Sequence, residues 1–316
     1  MAWVITSLSR GRSVRLCKMH TLILGAGFSG MRIAAKAQML GSVCGTRRGQ
    51  SGIEELAALN IPGIMVEGSP LAQPRKPGDE FAAHLAQATH LYISVAPARQ
   101  PPLDDPMLNL LKPLTRKQLP RLEWIGYLST IGVYGDHDGR WVDEQTPCTS
   151  HQPRSIVRRE AEVAWQSWAE SLSLPIALIR LSGIYGPGRN AVVDALAGRA
   201  RMLIKPGQVF NRIHVEDLAT AAIKAGQLRF NGILNITDDL PAPPQDVIRY
   251  AHELVGKSAP EAQDFASAEI SPMARSFYSE NKRVRNSLSK SSLGFDYAYP
   301  DYRAGLAIVW DQLKET

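Results

Sequence analysis

Short apolar runs alternate with amphipathic segments over the first 185 residues of the chain. The unbroken run at residues 22–24 is followed by glycines, as expected for a strand that is buried on both faces. Similar runs predict five further strands, at SVCGTRR, IPGIMVEG, LYISVAP, LEWIGYLST and IALIRLSGI. Helices are predicted between them, including a long one over residues 160–172. This alternation predicts an α/β fold with a Rossmann-type doubly wound parallel sheet, in the strand order 3-2-1-4-5-6.

The regular alternation of short apolar runs with amphipathic segments ends at about residue 185. Residues 187–226 predict a helix, a short hairpin-like piece and a second helix; GILNITDD and PQDVIRYAHELVG then predict a strand and a helix. No linker rich in proline or serine separates this part from the first. We therefore expect an N-terminal extension at 1–18, a Rossmann domain at 19–185 and a smaller substrate lobe at 186–316. One helix and one strand of that lobe are expected to return to the Rossmann domain, and the two parts to share a cleft.

Charge and cysteine content exclude several classes of partner. The chain has 316 residues and a net charge of +6, of which the basic, acid-free residues 1–18 supply most. The nearly balanced remainder argues against nucleic-acid binding and electrostatic membrane docking, and no apolar run is long enough to span a membrane. Cys17, Cys44 and Cys148 lack metal-ligand spacing and are typical of a reducing compartment, so we expect a cytoplasmic protein without a bound metal.

Residues 1–18 allow two interpretations. Their basic, serine-containing composition is compatible with a transit peptide. The alternative is an upstream start or a disordered tail, because Met19 directly precedes the first predicted strand.

A glycine turn follows the first strand. Gly25, Gly27 and Gly30 form G-x-G-x-x-G, with Phe28 and Ser29 between the last two glycines. In this strand–turn–helix context the first glycine makes the tight turn, the second lets a pyrophosphate approach, and the third lets helix and strand pack closely. The free N–H groups of the helix start attract phosphate. These five residues are therefore predicted to bind a dinucleotide.

The end of the second strand indicates which dinucleotide is preferred. An acidic residue there would accept a hydrogen bond from the ribose 2′-hydroxyl of NAD. The chain instead has Thr46, Arg47 and Arg48, whose hydroxyl and forked cations suit the 2′-phosphate of NADP. We predict NADP as the preferred cofactor, with NAD as the alternative.

Five motifs in this order resemble the extended short-chain dehydrogenase/reductases, the NAD-dependent epimerase/dehydratase group. They are LILGAGFSG, YLSTIGVYGD, RLSGIYGPGR, FNRIHVEDLA and NKRVRNSLSKSSLGFDYAYPDYRAGL, and they span roughly Met19 to Leu306. The resemblance implies further cofactor contacts at two strand ends. These residues are Ser94, Val95 and Ala96 in SVAP, and Gly183 and Ile184 beside the nicotinamide.

The resemblance also locates the reaction site. Thr130, with Ser129 beside it, holds the hydroxyl position that contacts the reacting oxygen of the substrate in this family. The stretch RSIVRREAE matches the family helix that carries Tyr-x-x-x-Lys, but with Arg154 at the tyrosine position and Arg158 at the lysine position. A subset called the atypical short-chain dehydrogenase/reductases also lacks the tyrosine and lysine, and this chain resembles that subset. Arg158 can still bind ribose hydroxyls, whereas Arg154 keeps its proton and suits an anion such as phosphate or carboxylate.

Two functions follow from these features. The first is an NAD(P)-dependent oxidoreductase or epimerase-like enzyme with an atypical site, acting by resemblance on a sugar nucleotide or related phosphorylated polyol. Arg154, Arg189 and Arg212 are its candidate substrate ligands, although surface salt bridges explain the last two equally well. The alternative is a non-catalytic NADP-binding sensor or scaffold. A homodimer formed by helices on the sheet flank is common in the family.

Overall fold

The computed structural model describes residues 18–66 and 78–315. The predicted N-terminal extension therefore lies outside the described residues, except for Lys18. Within them, strands and helices alternate as far as the sixth predicted strand.

The strands, in chain order, are β1 (Met19–Leu24), β2 (Gly41–Arg47), β3 (Gly63–Met65), β4 (His90–Ile93), β5 (Trp124–Thr130), β6 (Trp141–Val142), β7 (Ile176–Leu181), β8 (Gly183–Tyr185), β9 (Met202–Ile204), β10 (Arg212–His214), β11 (Gly232–Ile236), β12 (Ala262–Asp264) and β13 (Arg283–Val284).

The helices are α1 (Phe28–Ala37), α2 (Gln50–Ala58), α3 (Asp79–Gln87), α4 (Pro106–Leu111), α5 (Pro153–Ser171), α6 (Ala191–Leu196), α7 (Val215–Gln227), α8 (Pro244–Leu254), α9 (Pro272–Phe277), α10 (Ser287–Leu293) and α11 (Tyr302–Lys314). A short 3₁₀ turn covers Ile131–Tyr134.

Seven strands form one parallel sheet in the order β11-β7-β5-β4-β1-β2-β3. The predicted order 3-2-1-4-5-6 is confirmed, with β7 as the sixth strand and β11 added at the edge. Ile23 of β1 lies opposite Gly45 on one side and Tyr92 on the other. Because the strands are parallel, β1, β4, β5 and β7 all end at one edge of the sheet, where doubly wound folds bind ligands.

Both faces of the sheet are buried under helices. Ile23 packs into an apolar cluster with α1, α2 and α7, whereas its neighbours Leu22 and Leu24 pack into a second cluster with α3, α4 and α5. Successive side chains of a strand point to opposite faces, so an unbroken apolar run supplies both layers. This explains why residues 22–24 are apolar at every position.

Helix α5 begins earlier than its apolar periodicity predicts. The prediction of a helix from residue 160 is wrong, since α5 starts at Pro153. Proline suits the first turn of a helix, because the backbone N–H that it lacks would have no intrahelical acceptor at that position. The earlier start places Arg154 and Arg158 on the first two turns of α5.

The C-terminal part contains parallel pairs of short strands. The predicted hairpin-like piece is wrong, because β9 pairs in parallel with β12 and β10 pairs in parallel with β8. Each pair joins distant segments of the chain, which local sequence cannot indicate. Helices α6, α8 and α11 contact one another around a small separate core. Strand β11 and helix α7, in contrast, belong to the large sheet and its helical layer.

Candidate functional site

The glycine turn after β1 is shaped by close backbone contacts. Gly25 has a φ of +86°, and a Cβ atom there would lie 2.6 Å from Val95 Cγ2. A Cβ at Gly30 would lie 2.6 Å from the carbonyl oxygen of Gly25. At Gly27, in contrast, nothing lies within 4 Å of the Cβ position. Two of the glycines are thus required by packing, while the second faces open space.

The open space adjoins the N-terminus of α1. This helix begins at Phe28, and its N-cap Gly27 offers no side-chain hydrogen bond. The first turn contains no acidic residue. The N–H groups of a first helical turn lack intrahelical acceptors and carry the positive end of the helix dipole. An anion at Gly27 would therefore meet free donors, a positive potential and no side chain in its way.

The three predicted residues at the end of β2, Thr46, Arg47 and Arg48, have different surroundings. Thr46 is buried, and its Oγ1 accepts a hydrogen bond of 2.9 Å from the Gly25 N–H. Arg47 donates to the Ala26 carbonyl and forms an ion pair with Glu55. These two side chains support the glycine turn from within the protein.

Arg48 has a different environment from its two neighbours. It is exposed, with no ion pair among the residues that the structure describes. Of the three residues at the end of β2, Arg48 has the most freely available charge for a 2′-phosphate.

The segment after β4 lies against the same turn. The Ser94 N–H donates to the Leu24 carbonyl at 2.8 Å, which extends the pairing of β4 with β1. Val95 packs on Gly25, and Ala96 is exposed. The structure thus brings the predicted SVAP segment directly beside the glycine turn.

Thr130 and Ser129 face in different directions at the end of β5. Ser129 is buried and its hydroxyl donates to Glu162 of α5. Thr130 is only partly buried, and its Oγ1 accepts a hydrogen bond of 3.1 Å from the Gly132 N–H. That contact uses a lone pair of Oγ1 and leaves the hydroxyl proton available. Thr130 therefore has a free donor, whereas the Ser129 hydroxyl is committed to the protein interior.

Arg158 lies against the end of β5. Its Nη1 donates to the Leu128 carbonyl at 3.0 Å, and its guanidinium carbon lies 5.8 Å from the centre of the Tyr127 ring. The side chain is half-buried, and it makes no ion pair within the described part of the chain. Arg158 therefore places a positive charge next to β5. This charge also acts on the buried carboxyl of Asp105, where burial raises the pKa and Arg158 acts in the opposite direction.

Arg154 points to the C-terminal part of the molecule. Its Nη1 donates to Ser276 Oγ at 3.1 Å, and its guanidinium carbon lies 4.3 Å from the centre of the Phe277 ring. A guanidinium stacked on a ring keeps most of its in-plane donors available. No carboxylate pairs with it in residues 18–66 and 78–315. The two arginines on the first turns of α5 thus form a positive face that makes no ion pair with any carboxylate of the described residues.

The other two candidate arginines lie in contrasting surroundings. Nη1 of Arg212 donates to the carbonyls of Phe210 and Ala242 at 2.9 and 3.2 Å, and burial lowers the pKa of its guanidinium. This residue is held by backbone oxygens rather than presented to a ligand. Arg189 is exposed, and its guanidinium carbon lies 5.5 Å from the centre of the Phe28 ring. The structure therefore places Arg189 beside the glycine turn.

Gly183 and Ile184 lie at the start of β8, directly after β7. Gly183 is exposed and its N–H donates to the Asn211 carbonyl at 3.1 Å. Ile184 is half-buried and packs on the central apolar cluster. Both residues lie at the carboxyl edge of the sheet, where β7 ends.

A buried ion pair behind β5 was not predicted from the sequence. Glu162 of α5 and Arg180 of β7 are 3% and 4% exposed and share two hydrogen bonds of 3.1 and 2.8 Å. The Arg180 guanidinium also lies 4.8 Å from the centre of the Tyr134 ring. Charged residues are rarely buried unless they are paired. An arginine inside the apolar run IALIRLSGI is the signal that indicates this pair.

Asp238, just beyond β11, is a second residue that sequence reasoning missed. It is 1% exposed, and neither carboxylate oxygen has a well-formed hydrogen bond to any residue that the structure describes. Burial raises the pKa of Asp238 to about 8, although Arg212 and the Leu240 N–H act in the opposite direction. The carboxyl is therefore mostly protonated at neutral pH.

Two features are absent from the described residues, namely a membrane-spanning helix and a metal site. No helix among them is long and apolar enough to cross a membrane. No group of three or more histidine, cysteine or acidic residues in those ranges has the geometry to hold a metal ion.

Known proteins share this architecture. The model of the NAD dependent epimerase/dehydratase family matches residues 107–236. A solved protein of unknown function from Silicibacter pomeroyi is 41% identical, with a TM-score of 0.80, and the match covers 93% of this chain and 99% of that one. The dTDP-glucose 4,6-dehydratase of Bacillus anthracis, solved with NAD, is 17% identical with a TM-score of 0.71, covering 94% and 97% of the two chains. At that identity the likeness shows the fold alone.

A curated relative matches a smaller part of the chain. The 3-diazoavenalumate denitrifying reductase of a Streptomyces species is 25% identical over 177 residues, which are 52% of this chain and 55% of the reductase. The match thus spans about half the length of that relative. Residues 107–236 therefore belong to the NAD-dependent epimerase/dehydratase family, and the chain shares its fold with the Silicibacter pomeroyi protein over 93% of its length.

Proposed function

We propose that this protein binds NADP(H) in preference to NAD(H) and is an oxidoreductase of a substrate that carries an anionic group. The observation that carries the proposal is that the protein has both an open glycine turn and a positive face on α5, formed by Arg154 and Arg158, that makes no ion pair with the described carboxylates. The first suits a dinucleotide and the second suits an anion. The substrate class we favour is a sugar nucleotide or a related phosphorylated polyol.

The glycine turn supports dinucleotide binding through its shape. The Cβ position of Gly27 is empty to 4 Å while Gly25 and Gly30 are closely packed, so the turn has room for a phosphate at its second glycine only. Arg48, exposed at the end of β2, supports a preference for the 2′-phosphate. A bound nicotinamide supplies or accepts hydride at its C4 atom.

Side chains near β5 support binding and orientation of the substrate. Thr130 donates its free hydroxyl proton as a hydrogen bond to the reacting oxygen. Arg158 holds ribose hydroxyls and contributes positive charge beside β5. Arg154 binds the anionic group, for which its stacked guanidinium retains in-plane donors. These assignments leave no acid–base side chain at the tyrosine position.

The proton for the reacting oxygen therefore comes from water or from the substrate itself. A guanidinium does not act as a proton donor in proteins, so Arg154 stabilises negative charge on oxygen without protonating it. Positioned acid–base groups contribute roughly 10²–10⁴-fold to rates. We expect turnover to be slower than that of a tyrosine-containing relative by a factor within this range.

Titration with NADPH and NADH, followed by nicotinamide fluorescence, tests the proposal. We expect micromolar NADPH binding, weaker NADH binding, and loss of affinity in Arg158→Ala. Equal affinity for the two cofactors would remove the proposed role of Arg48. Absence of binding to either would contradict the proposed function altogether.

A non-catalytic NADP-binding sensor or scaffold is the second candidate. It is favoured by the contacts of Arg154 with Ser276 and Phe277, because they give this arginine a structural use between α5 and α9. A panel of phosphorylated carbonyl substrates with NADPH separates the two functions. Turnover that is lost in Thr130→Val supports the enzyme, and tight cofactor binding with no turnover supports the sensor.

The cellular setting is also part of the proposal. Cys44 and Cys148 are free thiols, which supports a reducing compartment such as the cytoplasm. Val163, 61% exposed on α5, supports a homodimer formed by this flank of the sheet. Light scattering of the protein and of Val163→Glu would measure this association.

A further inference from the structure

The turn after β8 fixes the backbone of Arg189. Gly186 and Arg189 exchange two backbone hydrogen bonds of 3.0 Å each. Asn190 donates to the Gly186 carbonyl at 2.8 Å, and its side-chain oxygen caps α6 by accepting from the Val193 N–H at 3.0 Å. Arg189 is therefore presented from a well-ordered turn that is anchored to the C-terminal lobe.

The side chain of Arg189 reaches the other lobe. Its guanidinium carbon lies 5.5 Å from the ring centre of Phe28, the first residue of α1. The side chain is exposed and has no acidic partner in the described ranges. Stacking on a ring uses the face of the guanidinium and leaves its edge N–H groups free to bind oxygen. An unpaired cation thus lies next to the positive end of α1.

Two glycines leave space around this cation. Nothing lies within 4 Å of the Cβ position at Gly27 or at Gly188, the residue before Arg189. Gly27 is not required by packing, in contrast to Gly25 and Gly30, whereas Gly188 has a φ of +77° that itself favours glycine. An anion that fills the space at Gly27 would neutralise both the N-terminus of α1 and Arg189.

We infer that Arg189 is a ligand of the cofactor pyrophosphate, contributed by the C-terminal lobe, rather than a ligand of a substrate phosphate. This inference rests on the proposed function, since it requires a bound dinucleotide. The pyrophosphate is common to NAD(H) and NADP(H), so Arg189 contributes affinity without selecting between them.

Variants at Arg189 test the inference by equilibrium binding. Charge-assisted hydrogen bonds contribute enough that Arg189→Gln should weaken NADPH and NADH alike by roughly 10–100-fold. Arg189→Lys retains the charge but loses the fork, and should recover part of the affinity. Arg48→Ala is the matched control, since it should weaken NADPH and leave NADH unchanged. The 2′-AMP probe has no pyrophosphate, and its affinity should be the same in wild type and Arg189→Gln.

Each other outcome has a distinct meaning. If Arg189→Gln binds both dinucleotides as wild type does, the inference is wrong while the proposed function stands. If it loses 2′-AMP together with the dinucleotides, the substitution acts on the adenosine end or on the fold, and the pyrophosphate assignment is also wrong. Wild-type protein that binds neither dinucleotide contradicts the proposed function, and this inference with it.

Discussion

The two ends of the candidate site are built in different ways. At the β1 end the site is made of backbone: close contacts at Gly25 and Gly30 and open space at Gly27. At the β5 end it is made of side chains, among them Arg154 and Arg158, which the sequence predicts at the positions of a tyrosine and a lysine in the family pattern. Backbone shape tolerates few substitutions, whereas exposed side chains can change while the fold stays the same. We therefore expect substitutions of the β5 side chains to leave the backbone of the glycine turn intact.

The buried ion pair behind β5 gives the first and largest prediction. Replacing Glu162 by Gln removes one partner and leaves the Arg180 charge buried and uncompensated, which should cost about 3–5 kcal/mol of unfolding free energy. Urea denaturation measures the loss. Glu160→Gln is the control, because Glu160 is exposed on the same helix. A loss below 1 kcal/mol would show that the side chains at the β5 end do not depend on this pair.

The glycines of the β1 end give the second prediction. Gly30→Ala places a Cβ 2.6 Å from the Gly25 carbonyl oxygen, so the turn must shift, at a cost of roughly 1–3 kcal/mol. Gly27→Ala meets no atom within 4 Å and should leave the melting temperature almost unchanged while weakening NADPH binding. Thermal denaturation and NADPH titration of both variants separate packing from ligand access. Equal effects of the two substitutions would contradict the division of roles.

The sequence predicts the features that depend on local patterns better than those that depend on contacts between distant segments. The parallel sheet and the glycine turn follow from local patterns, namely apolar runs and glycine spacing before a helix. The hydrogen bond from Ser129 to Glu162 depends on which face of β5 carries Ser129 and on how α5 packs against that face. Neither can be determined from local sequence. The parallel pairing of β9 with β12 joins segments far apart in the chain, and no local pattern predicts it.

Arginine positions show the same limit. The sequence identifies Arg189 and Arg212 equally well as candidate substrate ligands. The fold then puts Arg212 against two backbone carbonyls and Arg189 against Phe28. Charge can be read from the residue type, but its partner is decided by tertiary packing. The roles of these side chains were therefore less predictable than the path of the backbone.

The buried carboxyl of Asp238 gives a prediction on pH dependence. Its pKa is raised by burial to about 8, so between its ordinary value of 3.8 and 8 the folded protein holds a proton that the unfolded chain releases. Stability should therefore fall as pH rises through this window, by at most about 1.4 kcal/mol per pH unit.

Asp238→Asn tests this dependence by removing the titrating group. Its unfolding free energy should decrease less than that of wild type between pH 5 and pH 8, and it should exceed the wild-type value at pH 8. Asp296→Asn is the control, since that side chain is 92% exposed. Parallel pH profiles for Asp238→Asn and wild type would show that Asp238 is ionised in the folded state.

Substitution of Arg154 is expected to have the smallest effect on stability. It separates the role of the β5 end from that of the β1 end most clearly. Its stacking on Phe277 and its hydrogen bond to Ser276 are partly exposed, so Arg154→Ala should cost no more than about 1 kcal/mol. If Arg154 binds the substrate anion, this variant should raise KM strongly while NADPH affinity stays constant, because the β1 end is untouched. Arg154→Lys should restore part of the substrate affinity, since it keeps the charge but not the planar fork. A side chain whose loss impairs substrate binding with so little cost in stability is retained for chemistry rather than for folding. An unchanged KM together with a large loss of stability would instead assign Arg154 to the contact between α5 and α9, and would favour the sensor over the enzyme.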